Sequence, residues 1–433
     1  DLVSEIRRYQ PAECLLPAAL ADELGDIVRT CGVVVTITGA SPGTDEASSF
    51  LKEQFGGEEL GRSGVLGCPA AVRAGAIALR YAKEMQRKEL SHIRSLSFHR
   101  LSEGCVIDGI TQRNLEIIRS IRGRAGDPTL LSILDLTGTP MGSRLLRQWL
   151  TTPLLSVERI NDRLDGVEFF TKNTPVRAKI RAIIAKTADI DRIAGRISCR
   201  TASPRDLISL ARSLSTVPAL KDALSESELP RLVSGALGNL GDPGAMTDLI
   251  GRAITDNPPV SPHSGGVFRD GYDSHLDMLR SRSARGKEWI VALQQQERER
   301  TGIRSLKVAY NSVFGYYIEV TRPNLHLVPK EYERKQTTST GERFTLPALR
   351  EQEAVIVTTE EGLLALEQEL YAKLLDTLAE AMPLFQAISQ GMAVLDIISS
   401  LAEVAVHHRY TRPVVDKSLD ILIREGRHPV VEQ

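Results

Sequence analysis

A short stretch between Thr321 and Arg350 concentrates side chains that can hold phosphate groups. It contains six basic residues against three glutamates, in a chain whose formal net charge is −1. Lys, Arg, Thr and Gln side chains contact phosphates without reading bases. The composition therefore predicts a local anion-binding surface, and the candidate contacts are Arg322, Lys330, Arg334, Lys335, Gln336, Thr337, Thr338 and Arg343. A second interpretation stays open, because charged runs often only keep a surface solvated.

The segment YNSVFGYYIEVT, which begins at Tyr310, must position these side chains. It holds four aromatic residues within eight positions, although aromatics make up only 5% of the chain. Apolar residues alternate with polar or small ones from Val308 to Val320 and are interrupted by an Asn and a Gly, which predicts a β-hairpin with a short bulged loop. The residues assigned to building this hairpin are Tyr310, Asn311, Phe314, Gly315, Tyr316 and Tyr317.

Two long helices are predicted to bracket the hairpin. The first begins near Tyr272 and carries apolar residues at 3–4 spacing up to Leu293, after which QQQERER has none, so we expect its far end to enter solvent or to pair loosely with another exposed helix. The second, over residues 350–381, repeats leucine at every fourth position from Leu366 to Leu378. We expect its acidic residues to face outward, namely Glu360, Glu361, Glu367, Glu369 and Asp376. The hairpin would then form the tip of a projecting arm.

The rest of the chain predicts a mainly helical α+β fold. Residues 1–100 form a small α/β unit, with a strand over residues 31–38 and helices over residues 44–56 and 69–88. Helices dominate from about residue 108, and one of them starts at Pro140 with Thr139 as its N-cap. A Pro- and Gly-rich loop follows over residues 255–266.

Composition excludes several classes of protein. The chain has 433 residues, 54 Lys and Arg against 55 Asp and Glu, and 42% hydrophobic residues, so we expect about two to four globular domains. Its five cysteines show no CxxC spacing, which argues against a zinc site and for reduced, buried thiols. We expect no apolar run long enough for a membrane span of about 18 residues. Because the chain opens within a structural pattern and without Met, we interpret it as a piece of a longer protein.

Two sequence features resemble a phosphate-binding loop and a metal site but do not fit either. The segment GGEELGRS fits the spacing of a phosphate-binding loop from Gly56 to Ser63, but Arg62 replaces the required lysine and two glutamates face the expected phosphate position. His407 and His408 are adjacent on a predicted helix and cannot face one metal ion together. We therefore assign no catalytic residue and no metal ligand, expect no enzyme activity, and expect the chain neither to bind nor to hydrolyse ATP.

Longer motifs resemble one family. The run TGIRSLKVAYNSVFGYYIEVTRPNLHLVPKEYERKQTTSTGERF, residues 301–344, is similar to the lever and clamp of the MutS family of DNA mismatch-repair proteins. LDLTGTPMGSRLLRQWLTTPLLSVERINDRLDGVEFF, residues 134–170, resembles the start of the core domain in that family. SLAEVAVHHRYTRPVV at residues 400–415 and GRHPVVE at residues 426–432 are similar to the family's approach to its ATPase domain. The resemblance covers essentially the whole chain.

The resemblance implies an organisation into domains. Residues 1–100 would be a connector domain with an RNase-H-like α/β fold, truncated at its N-terminus, and residues 101–285 a helical core and lever. Residues 286–362 would be a clamp, residues 363–424 the returning lever and core helices, and residues 425–433 the start of an ATPase domain that is absent here. The clamp, with the phosphate-binding candidates named above, would contact the DNA backbone, and the levers would couple it to the ATPase.

Partners and cofactors follow from the same resemblance. The expected partners are double-stranded DNA, bound without sequence preference, a second copy of the full-length protein and a MutL-type partner. No membrane contact is expected, and the resemblance leaves open that the piece itself is monomeric. No cofactor is expected in this piece, whereas ATP and Mg²⁺ belong to the full-length family. The expected location is the cytoplasm, in association with the nucleoid.

The sequence also departs from the family pattern. No Phe is followed two places later by Glu, the element with which the family reads a mismatch. Ser339, Thr340 and Gly341 stand where Lys-Asn-Ala is common, which removes a cation from the clamp. Two alternatives remain: a scaffold whose helical arm binds a protein, and a recombination-type MutS homologue that acts on DNA junctions.

Overall fold

The computed structural model describes residues 2–432 except for residues 10, 87–89, 91–92, 94–95, 97, 99–104, 106, 123, 125, 226–227 and 312–314. The chain divides into two compact units. Unit 1 comprises residues 1–199, 213–243 and 381–433, and unit 2 comprises residues 200–212 and 244–380. The fold is mainly helical with small sheets, which confirms the predicted α+β class.

Unit 1 begins with a βαβ element. Its members are α1 (Leu2–Tyr9), β1 (Glu13–Pro17), α2 (Ala18–Thr30) and β2 (Val34–Thr38). The two strands are parallel, and α2 is the crossover that a parallel pair needs. Leu16, Val28 and Val33 form its small core. The strand predicted over residues 31–38 is confirmed for its second half, whereas β1 was not predicted.

Three helices complete the N-terminal part, namely α3 (Thr44–Phe55), α4 (Gly57–Arg62) and α5 (Pro69–Gln86). Gly56 ends α3 with a φ of +80°, a conformation that glycine adopts without strain. The segment GGEELGRS coincides with α4, where Arg62 lies 3.5 Å from the Glu58 carboxylate. In a helix the backbone amides lie along the axis and donate to carbonyls of the preceding turn, as the Leu60 amide does to the Gly56 carbonyl at 3.2 Å, whereas a phosphate-binding loop presents its amides to the ligand.

A series of helices of ordinary length follows. Thr139 accepts a hydrogen bond from the Gly142 amide at 3.1 Å and Pro140 occupies the first turn, so the predicted helix start is confirmed. The helices are α6 (Gly109–Asn114), α7 (Leu130–Leu134), α8 (Pro140–Thr151), α9 (Val157–Lys172), α10 (Thr174–Ile184), α11 (Ile190–Ser198), α12 (Pro204–Leu214), α13 (Val217–Leu224), α14 (Arg231–Gly238) and α15 (Gly244–Ala253).

Unit 2 contains two long helices with a sheet between them in the chain. Besides α15 and most of α12, its elements include α16 (Ser274–Thr301), β3 (Lys307–Asn311), β4 (Gly315–Thr321), β5 (Glu333–Thr337), β6 (Gly341–Thr345) and α17 (Pro347–Glu380). The strands lie in the order β3-β4-β6-β5, and all neighbours are antiparallel. Tyr310 pairs with Tyr316, so the predicted hairpin is confirmed in its strands, whereas its loop and Phe314 lie outside the described residues.

The last helix, α18 (Met382–His408), is the central core helix of unit 1. It is long and apolar enough to cross a membrane, which corrects the sequence interpretation that no such run exists. However, 67% of its most apolar window is buried within the protein, as in the core helix of a soluble fold. Asp396, buried on this helix, accepts hydrogen bonds from the amides of Gly138 and Thr139 at 2.8 and 2.9 Å.

The cysteines differ from the expectation. All five are free, as expected, but none is fully buried: Cys14, Cys31 and Cys68 are half-buried, and Cys105 and Cys199 are exposed. The composition rule that makes cysteine a small buried residue describes an average and does not hold at these positions.

Candidate nucleic-acid interface on the four-stranded sheet

One face of the sheet packs against the two long helices. Ile318 and Val320 of β4 and Phe344 of β6 are buried in a cluster with Ile290 of α16 and Ile356 of α17. Because side chains alternate between the faces of a strand, this core fixes the register of the sheet. Only the opposite face and the connections between strands are left for a ligand.

The polar end of α16 is only partly in solvent: Gln295, Gln296 and Glu299 are exposed, as expected, but Glu297 is buried, which the sequence did not predict. Glu297 is only 6% exposed. Its carboxylate accepts hydrogen bonds from the Tyr332 hydroxyl at 2.7 Å and from Arg300 at 2.6 Å. Burial and the bond to Glu297 raise the pKa of Tyr332, which keeps the phenol protonated as the donor. Arg300 also binds Glu331 at 2.6 Å and thereby ties the helix to the sheet connection.

The outward assignment of the acidic residues on α17 is right for four of them and wrong for Glu367. Glu360, Glu361, Glu369 and Asp376 are exposed. Glu367 is 1% exposed and accepts a hydrogen bond from Arg280 of α16 at 2.8 Å. A buried carboxylate needs such a partner, and periodicity alone does not reveal one.

Glu353 of α17 fixes the hairpin. Its carboxylate accepts a hydrogen bond from the Tyr316 amide at 2.8 Å. Gly315 has a φ of +70°, and a Cβ atom there would collide with the Glu353 carboxylate. Lys335 lies 3.9 Å from the same carboxylate and donates to the Tyr316 carbonyl at 3.4 Å. A β-bulge between Arg334 and Gln336 makes Lys335 the extra residue, and bulges re-aim side chains in this way.

Arg343 also makes contacts within the sheet. Its guanidinium lies 4.3 Å above the Tyr317 ring and donates to Gln336 Oε1 at 2.8 Å. Thr338 closes the turn between β5 and β6, because its hydroxyl accepts a hydrogen bond from the Gly341 amide at 3.2 Å. These contacts engage Lys335, Gln336, Thr338 and Arg343 in the fold, although the sequence predicts them as phosphate contacts.

Gly341 lies where two neighbouring strands approach each other closely. A Cβ atom at this position would collide with the Val320 carbonyl of the neighbouring strand. The backbones of β4 and β6 therefore approach more closely here than a side chain would permit. Any residue with a Cβ atom at this position would require a wider spacing of the two strands.

The remaining candidates point into solvent. Arg322, Lys330, Arg334 and Thr337 are exposed. Arg334 lies 3.5 Å from the Glu342 carboxylate but is 63% exposed, and surface pairs of this kind contribute little. Among the residues that the structure describes, none forms an ion pair with Arg322 or Lys330. The Arg322 amide donates to the Thr340 carbonyl at 3.2 Å, which brings the 3-10 turn after β4 beside the β5–β6 turn.

Some of the residues predicted to build the hairpin are buried, and others are exposed. The Tyr310 and Tyr316 rings lie 5.1 Å apart, and Tyr316 packs against the core cluster. Tyr310 itself is 58% exposed, whereas Tyr317 is buried. Asn311 pairs with Gly315 at the end of the strands. The described members of the set therefore lie in or beside the two strands of the hairpin, whereas Phe314 lies outside the described residues.

Sequence reasoning missed the residues that hold the sheet to the helices. Glu297, Tyr332 and Glu353 make the central contacts, and none carries a local sequence signal for this role. Glu297 and Tyr332 are separated by 35 residues and Tyr316 and Glu353 by 37. Only the tertiary fold brings these partners together.

Comparisons with known proteins agree with the motifs. The family model described as MutS domain II matches residues 1–94, and that described as MutS domain III matches residues 110–402. Curated proteins named DNA mismatch repair protein MutS are 43% identical in Methanosarcina acetivorans, 40% in Methanococcoides burtonii and 37% in Myxococcus xanthus, each over 100% of this chain. The match covers 48–49% of those proteins, so the chain spans about half their length.

Proposed function

Because this chain belongs to the MutS family of DNA mismatch-repair proteins, we propose that its four-stranded sheet binds the backbone of double-stranded DNA without sequence preference. The observation that carries the proposal is the exposure of Arg322 and Lys330 without an ion-pair partner among the described residues. Arg334 and Thr337 extend this surface. Cations and hydroxyls in this arrangement suit phosphate oxygens and carry no base specificity.

The two long helices would transmit the bound state. α16 has 28 residues and α17 has 34, which corresponds to rods of about 42 and 51 Å. The sheet is fixed to α16 through Glu297 and to α17 through Glu353. A force on the sheet would therefore reach both helices, which supports a role as levers that couple DNA binding to the ATPase domain of the whole protein.

The domain assignments remain part of the proposal. They are a connector over residues 1–100, core and lever over residues 101–285, a clamp over residues 286–362, returning helices over residues 363–424, and the start of an ATPase domain at residues 425–433. For the whole protein we propose ATP and Mg²⁺ as cofactors, homodimerisation and a MutL-type partner. We propose binding and transmission for this chain, with no chemical step of its own.

A salt titration with two matched variants tests the DNA contact. Arg322→Gln combined with Lys330→Gln should weaken duplex binding alike on every sequence and reduce the slope of log K against log salt by ~0.9 for each phosphate contact that is removed. Lys179→Gln combined with Lys186→Gln removes the same charge from exposed positions on and beside α10 and should leave the slope unchanged. Equal slopes for the two double variants would place the DNA surface elsewhere.

The same titration addresses the rival functions. An arm that binds a protein through apolar contacts would show little salt dependence. A junction-binding homologue would prefer a four-way junction to a duplex of equal length. Either outcome would replace the proposed duplex contact.

A further inference from the structure

A cleft of about 950 Å³ in unit 1 has a strongly basic lining. Arg113 lies on α6 and Arg119 follows in the loop after it, so one segment supplies two arginines, and Arg147 on α8 supplies the third. None of the described residues that line the cleft carries a carboxylate. These residues are outside the sheet that we assign to DNA, and the inference does not depend on that assignment.

The charges of these arginines are not balanced by the surrounding protein. In the part of the chain that the structure describes, no residue forms an ion pair with any of the three. Glu116, on the same segment, is already engaged: its carboxylate accepts hydrogen bonds from the Ile121 amide at 2.8 Å and the Ser120 hydroxyl at 3.1 Å. Like charges that share a cleft repel one another, and a bound anion would relieve that repulsion.

The segment that carries two of the three arginines is held in place. Asp108 caps α6 by accepting hydrogen bonds from the amides two and three residues later, at 2.9 and 2.8 Å. The amides of Leu130 and Leu131 donate to the carbonyls of Glu116 and Ile117, both at 2.9 Å. Ile117 itself is buried. A pre-organised segment loses little entropy when a ligand binds.

We propose that this cleft binds a small ligand that carries two or more phosphate groups. Guanidinium groups pair with phosphate through two parallel hydrogen bonds, and three of them supply more charge than a monoanion requires. Asn114 adds a polar group to the lining, and Ile110, Ile118 and Ile121 add apolar surface, whereas the Ser120 hydroxyl is already bonded to the carboxylates of Glu116 and Asp127, both at 3.1 Å. The same chemistry occurs in free polyphosphate and in a nucleoside diphosphate, whose base would lie on the apolar surface.

Calorimetry of the whole chain at low salt, with tripolyphosphate and with ADP as probes, tests the proposal. We expect saturable binding with a stoichiometry of one. Arg113→Gln and Arg147→Gln should each weaken it about tenfold, as expected when a charge-assisted hydrogen bond is removed. Arg122→Gln removes an exposed arginine of the same loop that does not line the cleft, and it should change the affinity less than about twofold.

Comparing the two probes shows whether the ligand is a free polyphosphate or a nucleoside diphosphate. Tighter binding of ADP than of tripolyphosphate would place the base in the cleft, and would overturn the expectation from the sequence that the chain binds no nucleotide. Tighter binding of tripolyphosphate would indicate a free polyphosphate. No saturable binding of either probe, or equal weakening by Arg122→Gln, would overturn the proposal. The DNA-contact variant Arg322→Gln with Lys330→Gln should leave this binding intact, so the two proposals fail separately.

Discussion

Residue type alone does not decide whether a charged side chain meets solvent or the interior. Glu297 and Glu367 are buried acids that accept hydrogen bonds from a tyrosine or an arginine of another element. Removing the partner of such a group would leave an uncompensated charge, which is far more costly than losing a surface pair. These residues therefore specify how the sheet and the helices of unit 2 meet, whereas exposed Arg322 and Lys330 have no ion-pair partner among the described residues.

Gly315 provides a residue-scale prediction. Gly315→Ala should reduce the free energy of unfolding of unit 2 by at least about 2 kcal/mol, because the backbone has a positive φ and the added methyl group would displace the Glu353 carboxylate. Urea denaturation followed by circular dichroism measures the change. Gly362→Ala on α17 is the matched control, since open space surrounds that position, and it should stabilise by about 0.5–1 kcal/mol. Equal effects of the two substitutions would contradict the strained-turn explanation.

At the scale of elements, the sequence predicts those helix ends and strand pairings that depend on local signals. The start of α8 at Thr139 and Pro140 and the pairing of β3 with β4 follow from capping and alternation, both of which act within a few residues. Lys335 could not be placed, because its direction depends on a bulge in the pairing of β5 with β6. The burial of Glu297 near the end of α16 was missed for a related reason. A polar run predicts solvent unless a distant element supplies partners for it.

An ion-pair network between α8 and α11 predicts a dependence of stability on pH. Arg144 bonds Asp189 at 2.6 Å and Asp191 at 3.0 Å, and the bond from Arg144 is the main cause that lowers the pKa of Asp189. A carboxylate whose pKa is lower in the folded state contributes stability that is complete above its unfolded pKa of ~3.9. That contribution is lost as the pH falls through the folded value.

Asp189→Asn isolates this effect, because asparagine can still cap α11 by accepting from the Arg192 amide. The variant should be less stable than the parent at pH 7, and the difference should shrink at pH 3. Urea midpoints at the two pH values measure it. Asp248→Asn, at an exposed carboxylate without an ion pair among the described residues, serves as the control. A difference that grows towards low pH would have the wrong sign for the proposed linkage.

Amide hydrogen exchange should divide the sheet region into two classes. β4 and β6 lie at the centre of the sheet over a buried core, so their amides should exchange nearly as slowly as those of α8. Residues 322–330, which carry the exposed cations, should exchange rapidly in the free protein and more slowly with duplex DNA present. Rapid exchange throughout residues 305–349 would instead support the mobile tip that the polar sequence suggests. Lack of any slowing by DNA would argue against a contact at this turn.

At the scale of the whole molecule, charge balance decides how DNA can be held. A net charge of −1 provides no long-range attraction, so DNA binding needs a local patch of positive charge, and the proposed patch is the surface around Arg322 and Lys330. A few phosphate contacts give dissociation constants of ~10⁻⁴–10⁻⁶ M at physiological salt. Under the proposed function, the long helices and the buried contacts at Glu297 and Glu353 would transmit this weak DNA contact.

The last prediction is that the whole chain does not discriminate between matched and mismatched duplexes. The exposed candidates on the sheet are cations and a hydroxyl, which recognise phosphates and are blind to base identity, so matched and mismatched duplexes of equal length should bind with affinities within about twofold. Competition by fluorescence anisotropy at one salt concentration measures the ratio, and raising the salt should weaken both complexes in parallel. If the mismatched duplex bound about ten times more tightly, a base-reading or DNA-bending element would have to exist in this chain. The energy needed to deform DNA also depends on its sequence, so a mismatched duplex with a flexible backbone should be compared with one that has a stiff backbone. Equal affinities for both duplexes would confine recognition to the phosphates.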